Sequence, residues 1–368
     1  MKRDLLAHAK RVVVKVGSST LTGKAGEQLD PAKIDQLVDV LASLRNQGKE
    51  VVLVSSGAIA TGLAPLGLSA RPKDLATQQA AASVGQGLLI AHYNRAFTKH
   101  SLLSSQVLLT IDDVVRRSHY QNAQRTLFKL LQLGVVPIIN ENDTVAVQEI
   151  RFGDNDRLAA LIAHLIGAEL LVLVSDIDAL YDAPPSQPGA SRIDFVENIS
   201  NLAHVEIGGI GSSGVGSGGM VTKIDAARIA TGAGVAMLLT SLEKLSSALI
   251  GSDAGTYFAP TRDRKPSRLL WLEHASTPQG KLVLDDGAVL AIKERGVSLL
   301  PAGVSAVEGE FISGDTVELV SQSGTVIARG LVAFDSTDIP KMLGKSTKEL
   351  ATTLGARSEE HTSELQSH

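Results

Sequence analysis

The chain has 368 residues, 44% hydrophobic and 20% charged, which suits a large packed domain with a smaller one and excludes wholesale disorder. A net charge of −4 gives no general pull toward nucleic acid or anionic membrane, and aromatics at 3% leave few platforms for stacking bases. Without cysteine there are no disulfides, thiolate metal sites or cysteine nucleophiles, which is compatible with a reducing compartment.

The N-terminus, MKRDLLAHAKR, is too short and charged for a secretory signal, and no apolar run reaches membrane-spanning length. The expectation is a cytoplasmic protein with no membrane partner. Arg11 to Gly17 reads as a buried strand ending on Lys15 and a Gly-Ser-Ser turn. Asp30 and Pro31 then open a helix whose Ile34, Leu37, Val38, Leu41 and Leu44 share one face, and Gly48 stops it. A strand over Val51–Val54 runs into SSGAIATG. A helix follows over 76–99, a strand over 105–110 and a helix over 120–133.

The stretch VVPIINENDTVAVQEIRFGDNDRL, 135–158, begins as a buried strand and then turns acidic. Glu141, Asp143, Glu149, Asp154 and Asp156 fall within sixteen positions, among Asn140, Asn142 and Asn155, with Arg151 and Arg157 as the cations. Such a loop suits a small zwitterion or a metal-phosphate, and equally a solvated charged surface. A helix over 156–165 and strands over 170–174 and 235–240 complete the series, with a Pro- and Gly-rich excursion and a helix over 223–230 between those strands. Strand alternating with helix in this way predicts a doubly wound, mainly parallel sheet with helices on both faces. The polar turns after its strands mark the edge where such sheets take ligands.

Past Pro260 the texture changes. The expected layout is a first domain over 1–262, a linker over 263–279, a small β-rich domain over 280–357 and an unstructured tail over 358–368. The β-rich region reads as short runs and turns, KLVLDDGAVLAI first among them. It holds eight Lys/Arg against ten Asp/Glu, a balance of −2 that does not single out RNA.

Gly-Ser-Gly-Gly-Met-Val-Thr-Lys, 216–223, precedes a helix. Its glycines let backbone N–H groups approach an anion, the helix start adds positive potential and Lys223 a full charge, so it reads as a nucleotide-phosphate cradle or as a flexible surface loop. Gly209 to Gly214 matches GxGxxG literally but lacks the strand–turn–helix context of a dinucleotide site. Lys15 is either a phosphate contact or a snorkelling strand end. Ser56 could meet a substrate carboxylate or cap its turn. The nine histidines show no metal spacing, so metal ligands stay unknown.

Six segments carry a resemblance: VVVKVGSSTLT (12–22), VVLVSSGAIATG (51–62), VVPIINENDTVAV (135–147), FGDNDRLAALIA (152–163), LLVLVSDIDALYDAPP (170–185) and GSGGMVTKIDAA (216–227). In that order they resemble the amino acid kinase family, most closely its members that phosphorylate glutamate, and LDDGAVLAIKERGVSLLPAGVSAVEGEFISGD (284–315) resembles the PUA domain those members carry. The resemblance spans about residues 10–355. It implies the amino acid kinase fold followed by a small PUA-like barrel. It also implies ATP-dependent phosphorylation of the L-glutamate side-chain carboxylate to L-glutamyl 5-phosphate, the first step of proline biosynthesis. ATP as co-substrate, Mg²⁺, proline as feedback inhibitor and a homo-oligomer (dimer or tetramer) belong to the same expectation.

Carried over by motif, Lys15 and Lys223 touch the ATP phosphates and the transferring group, and Asp156 orients the lysines or the metal. Ser56, Asp143 and Asn155 hold glutamate. Ser175, Asp176 and the run Ser217, Gly218, Gly219, Met220, Val221, Thr222, Lys223 line the nucleotide. The chemistry agrees: a carboxylate is already a nucleophile at neutral pH, so no general base is needed, and transfer rests on alignment and charge neutralisation. Ser55 and Ser217 stand where the family often has Thr, and both keep the hydroxyl. The tail RSEEHTSELQSH is unlike a family C-terminus and is expected to be foreign. The alternatives are kinases of the same family acting on N-acetylglutamate, aspartate, carbamate or UMP, and an RNA-binding PUA protein. The NENDTVAV and FGDNDRLAA pair and the PUA-like region argue against the first group, and the −2 balance against the second.

Overall fold

The computed structural model describes residues 4–22, 29–115, 117–145, 155–183, 185, 187–202, 219–261, 278–295, 299–313 and 315–343. The chain divides into two compact units, Met1–Val114 with Ser118–Lys265, and Val115–Arg117 with Pro266–His368.

In the first unit, β1 (Arg11–Val16), β2 (Glu50–Ser55), β3 (Ser104–Leu109), β4 (Val136–Glu141), β5 (Leu170–Ser175), β6 (Phe195–Val196), β7 (Ala236–Ser241) and β8 (Thr256–Phe258) form one sheet. Its eight strands run in the order β3-β4-β2-β1-β5-β7-β8-β6. All neighbours pair in parallel except β7 with β8. The central strands read as unbroken Val, Leu and Ile because both faces are covered, and Val12, Val13, Val14, Val51, Val52 and Leu170 are fully buried. The sequence of connections reverses beside β1, with β2 on one side and β5 on the other. An open α/β sheet takes its ligand at the carboxyl ends of the strands at such a point.

Among the helices that connect the strands are α1 (Pro31–Asn46), α2 (Ala58–Leu63), α3 (Leu75–Thr98), α4 (Arg117–Gln132), α5 (Asn155–Leu165) and α6 (Met220–Gly232). The start of α1 is as the sequence implies. Asp30 accepts a hydrogen bond from Ala32 N at 3.0 Å, Pro31 takes the first position, and Ile34, Leu37, Val38, Leu41 and Leu44 are buried. Asp74 caps α3 in the same way, accepting from Thr77 N at 2.8 Å. The sequence did not announce α2, since six residues carry too little periodicity to read. Gly57 at φ +106° makes the turn from β2 into it, a conformation that disfavours any residue with a Cβ.

The second unit holds a four-stranded sheet of β9 (Gly280–Leu284), β10 (Val304–Gly309), β11 (Thr316–Ser321) and β12 (Val326–Leu331), ordered β10-β9-β11-β12. Pairing is antiparallel at both flanks and parallel between β9 and β11. Leu282, Leu284, Ile292, Phe311, Val317 and Leu319 form its core. Here the sequence reading needs a correction: the second half of KLVLDDGAVLAI is the helix α7 (Asp286–Arg295), not a β run. Asp285 caps it by accepting from Ala288 N at 2.7 Å, a signal overlooked beside the apolar residues. The expected linker is largely, and the tail expected to be foreign wholly, outside the described residues, as is the GxGxxG stretch. Among the described residues no helix is long and apolar enough to cross a membrane.

Candidate active site

Two clusters form at the carboxyl edge of the sheet. The first is charged. Lys15 is the last residue but one of β1, Asp156 is the second residue of α5, and Thr222 and Lys223 lie in the first turn of α6. The Asp156 carboxylate joins them: Oδ1 lies 2.5 Å from Lys15 Nζ, while Oδ2 lies 3.4 Å from Lys223 Nζ and accepts from Thr222 Oγ1 at 2.9 Å. All three charged residues are buried, Asp156 completely, Lys15 to 7% and Lys223 to 6% exposure.

Burial by itself would raise the Asp156 pKa, but the two ammonium groups outweigh it and hold the carboxyl at about 2. Lys15 is shifted down, first by burial and then by Lys223, against the pull of Asp156 and a weaker one from Asp176. Within the Lys15–Asp156–Lys223 group two cations face one anion, and α6 adds positive potential to it. Its N-cap, Gly219, offers no side-chain acceptor, and no acidic residue stands in its first turn, so its leading N–H groups keep their positive potential. The arrangement complements a polyphosphate.

The second cluster is built mainly of neutral groups. Asn155, first residue of α5, donates from Nδ2 to Ser56 Oγ at 2.8 Å, Asn140 Oδ1 at 3.2 Å and Ser55 O at 3.3 Å. Its Oδ1 is buried without a hydrogen-bond partner among the described residues. Asn140, at 2% exposure, donates to Gln86 Oε1 at 2.7 Å and accepts from Glu141 N at 2.9 Å. Asp143, half-buried two residues beyond β4, carries the charge on this side. Burial pushes its pKa up to about 6, against the opposing attraction of the Arg71 guanidinium.

The structure thus joins Lys15, Asp156, Thr222 and Lys223 in one group and Ser56 with Asn155 in the other. Ser175 and Asp176 sit where β5 ends, Ser175 Oγ donating to Asp176 Oδ1 at 2.9 Å. Gly219 and Met220 are half-buried at the start of α6, and Val221 is 53% exposed. Ser217 and Gly218 lie outside the described residues. Of the acidic stretch, Asp156 joins the lysines, while Glu149 and Asp154 lie outside the described residues. Asn140 was missed as a site residue. Its neighbours in NEND drew attention as charges, whereas a buried amide shows only through its partners. Beyond these groups, Lys244 Nζ lies 2.6 Å from Asp178 Oδ2, and Tyr181 OH donates to Asp178 Oδ1 at 3.1 Å. Among the described residues no three His, Asp or Glu side chains gather to hold a metal ion.

An α/β sheet with a buried Lys–Asp–Lys group at a glycine-led helix start defines a phosphate-handling protein. Residues 10–241 match the amino acid kinase family, and the chain belongs to it. Residues 280–354 match the PUA domain. Over 354 residues the chain is 63% identical to a glutamate 5-kinase of Streptomyces avermitilis, covering 96% of this chain and 94% of that protein. A glutamate 5-kinase of Streptomyces coelicolor is 60% identical over 353 residues, covering 96% and 94%, and one of Salinispora arenicola 59% identical, covering 96% and 95%.

Proposed function

We propose that the protein phosphorylates the side-chain carboxylate of L-glutamate with ATP, giving L-glutamyl 5-phosphate and ADP, the first step toward proline. The observation that carries this reading is the Lys15–Asp156–Lys223 group beside the Ser56–Asn155–Asn140 amide cluster, in a chain so similar to glutamate 5-kinases. A glutamate carboxylate oxygen attacks the γ-phosphorus while the bond to the β-phosphate oxygen breaks. No proton leaves the nucleophile, so the residues supply charge and alignment alone.

In this reading Lys15 and Lys223 neutralise the transferring phosphoryl oxygens, and Asp156 keeps the two ammonium groups from drifting apart. The α6 start and Gly219 to Lys223 cradle the phosphates, and Ser175 and Asp176 border the nucleotide. Asp143 pairs with the substrate ammonium, Ser56 meets a substrate carboxylate, and Asn155, bonded to Ser56, completes the glutamate side. Mg²⁺, brought with ATP, would supply charge neutralisation on the phosphates, and no cluster of three His, Asp or Glu side chains among the described residues is assigned to hold it. The reading includes a cytoplasmic setting, a homo-oligomer and restraint by proline.

The test is ADP release from purified chain with MgATP and, in turn, glutamate, aspartate, N-acetylglutamate, carbamate and UMP, with hydroxylamine to trap an acyl phosphate. Glutamate-dependent ADP release with a trapped hydroxamate is the expected result. Turnover with another acceptor instead would keep the family and overturn the substrate. Added proline then tests the regulatory part.

A further inference from the structure

The residues that hold the acceptor side in shape come from α3, a helix no sequence motif pointed to. Tyr93, fully buried, places its hydroxyl 2.9 Å from Ser55 Oγ, and Ser55 Oγ in turn donates to Ser56 O at 3.0 Å. Gln86 accepts from Asn140 Nδ2 at 2.7 Å. The two residues are seven apart, about two helical turns, so they project from one face of α3. That face reaches the last residue of β2 and the carboxyl end of β4, the strands that lead into Ser56 and Asp143.

The consequence follows from the chemistry of an amide. Asn140 has one donor end and one acceptor end, and a half-turn of the group exchanges them. Gln86 claims the donor end. Asn140 Oδ1 is then committed to Asn155 Nδ2 at 3.2 Å and Glu141 N at 2.9 Å. With Nδ2 of Asn155 engaged by Ser56, Asn140 and Ser55, its Oδ1 is left as a buried acceptor with no partner among the described residues. The chain Gln86, Asn140, Asn155, Ser56 fixes the direction of every dipole in it.

The helix cannot slide to release these bonds. A Cβ on Gly85 would fall 1.8 Å from Ala58 O, and one on Gly62 would fall 1.9 Å from Ala81 O, so α2 and α3 meet backbone to backbone. Ser56 stands just ahead of α2, and the same contact seats it.

We propose that Gln86 and Tyr93 are positioning residues that set the affinity for the acceptor substrate without touching it. They act through the Asn140–Asn155–Ser56 network and leave the Lys15–Asp156–Lys223 group alone. The inference rests on the phosphorylation of glutamate proposed above. It predicts a split that a merely structural role would not produce, in which affinity for glutamate moves and the handling of ATP does not.

Steady-state kinetics with the full chain, varying glutamate and ATP separately, test it in Gln86→Leu, Gln86→Glu and Tyr93→Phe. Gln86→Leu is expected to raise KM for glutamate about tenfold, the size of one lost buried hydrogen bond, with kcat and KM for ATP within about twofold. Gln86→Glu keeps an acceptor for Asn140 and should restore most of that affinity. Tyr93→Phe, the loss of a single oxygen atom, should raise KM for glutamate a few-fold and keeps the test open if the leucine variant does not fold. An unchanged KM for glutamate, a parallel rise in KM for ATP, or equal losses in Gln86→Leu and Gln86→Glu would each overturn the proposal. An unsubstituted chain that turns over another acceptor in place of glutamate would defeat the functional reading first, and this inference with it.

Discussion

Asn155 and Asp156 are neighbours at the start of α5, yet they belong to opposite halves of the site. Asn155 reaches Ser56 and Asn140 through hydrogen bonds of a neutral amide, whereas Asp156 binds two lysines and a threonine hydroxyl. One residue step on a helix turns the side chain by about 100°, so a single helix start feeds both halves. The two halves also use electrostatics differently. Buried charges hold a strong local field at a cost in desolvation, which suits a phosphoryl group whose charge must be balanced as it moves. Buried amides carry little field but fix donor and acceptor directions, which suits recognition of a small zwitterion.

Removing the anion at the centre of the charged half should give the largest effect. Asp156→Asn leaves two lysines buried side by side and is expected to cost about 3–5 kcal/mol of stability as well as most activity, read by denaturant unfolding and ADP release. Because the native Asp156 pKa lies at about 2, below its ordinary value, its contribution is present above the usual carboxylate range and is lost as pH falls through about 2. In Asp156→Asn that component of the acid dependence should vanish.

Lys223→Ala comes next. It should lower kcat by about two to three orders of magnitude and raise KM for glutamate far less, the pattern of an interaction made in the transition state. Unchanged turnover would dissolve the distinction between the halves.

On the recognition side, Asp143→Asn should raise KM for glutamate by about ten- to a hundredfold with kcat much less affected. In the unsubstituted protein KM for glutamate should climb as pH falls through about 6, since protonated Asp143 cannot pair with an ammonium group that stays charged throughout. Asp143→Asn should flatten that limb. Asp143 also separates affinity from stability, because burial disfavours its charged form. The asparagine variant should unfold at no lower temperature than the parent at pH 7.

The smallest effect is expected at Lys244, whose pair with Asp178 resembles the buried ones in distance but stands 45% and 27% exposed. Lys244→Met should shift stability by less than about 1 kcal/mol, because water screens what burial preserves in the Lys15–Asp156 pair. A larger loss would mean that burial is not what separates the two pairs.

The sequence determined the alternation of strand and helix in the first unit, because parallel strands buried on both faces must be apolar throughout and covering helices must be apolar on one side only. It also marked Lys15, Ser56 and Asp143 near strand ends and, by motif, Asn155, Asp156 and Lys223 at helix starts, so all six were legible as candidates. It left α2 and α7 unread, the first for shortness and the second because its apolar residues resembled a strand.

Only the tertiary structure decided how the candidates divide. Asp156 looked like one of five acidic neighbours, and three-dimensional proximity to Lys15 and Lys223, 141 and 67 positions away in the chain, makes it their common partner. The roles of Asn140, Gln86 and Tyr93 were equally out of reach. A neutral polar side chain has no signature in the chain beyond its identity, and what it does depends on which donor or acceptor the fold sets about 3 Å away.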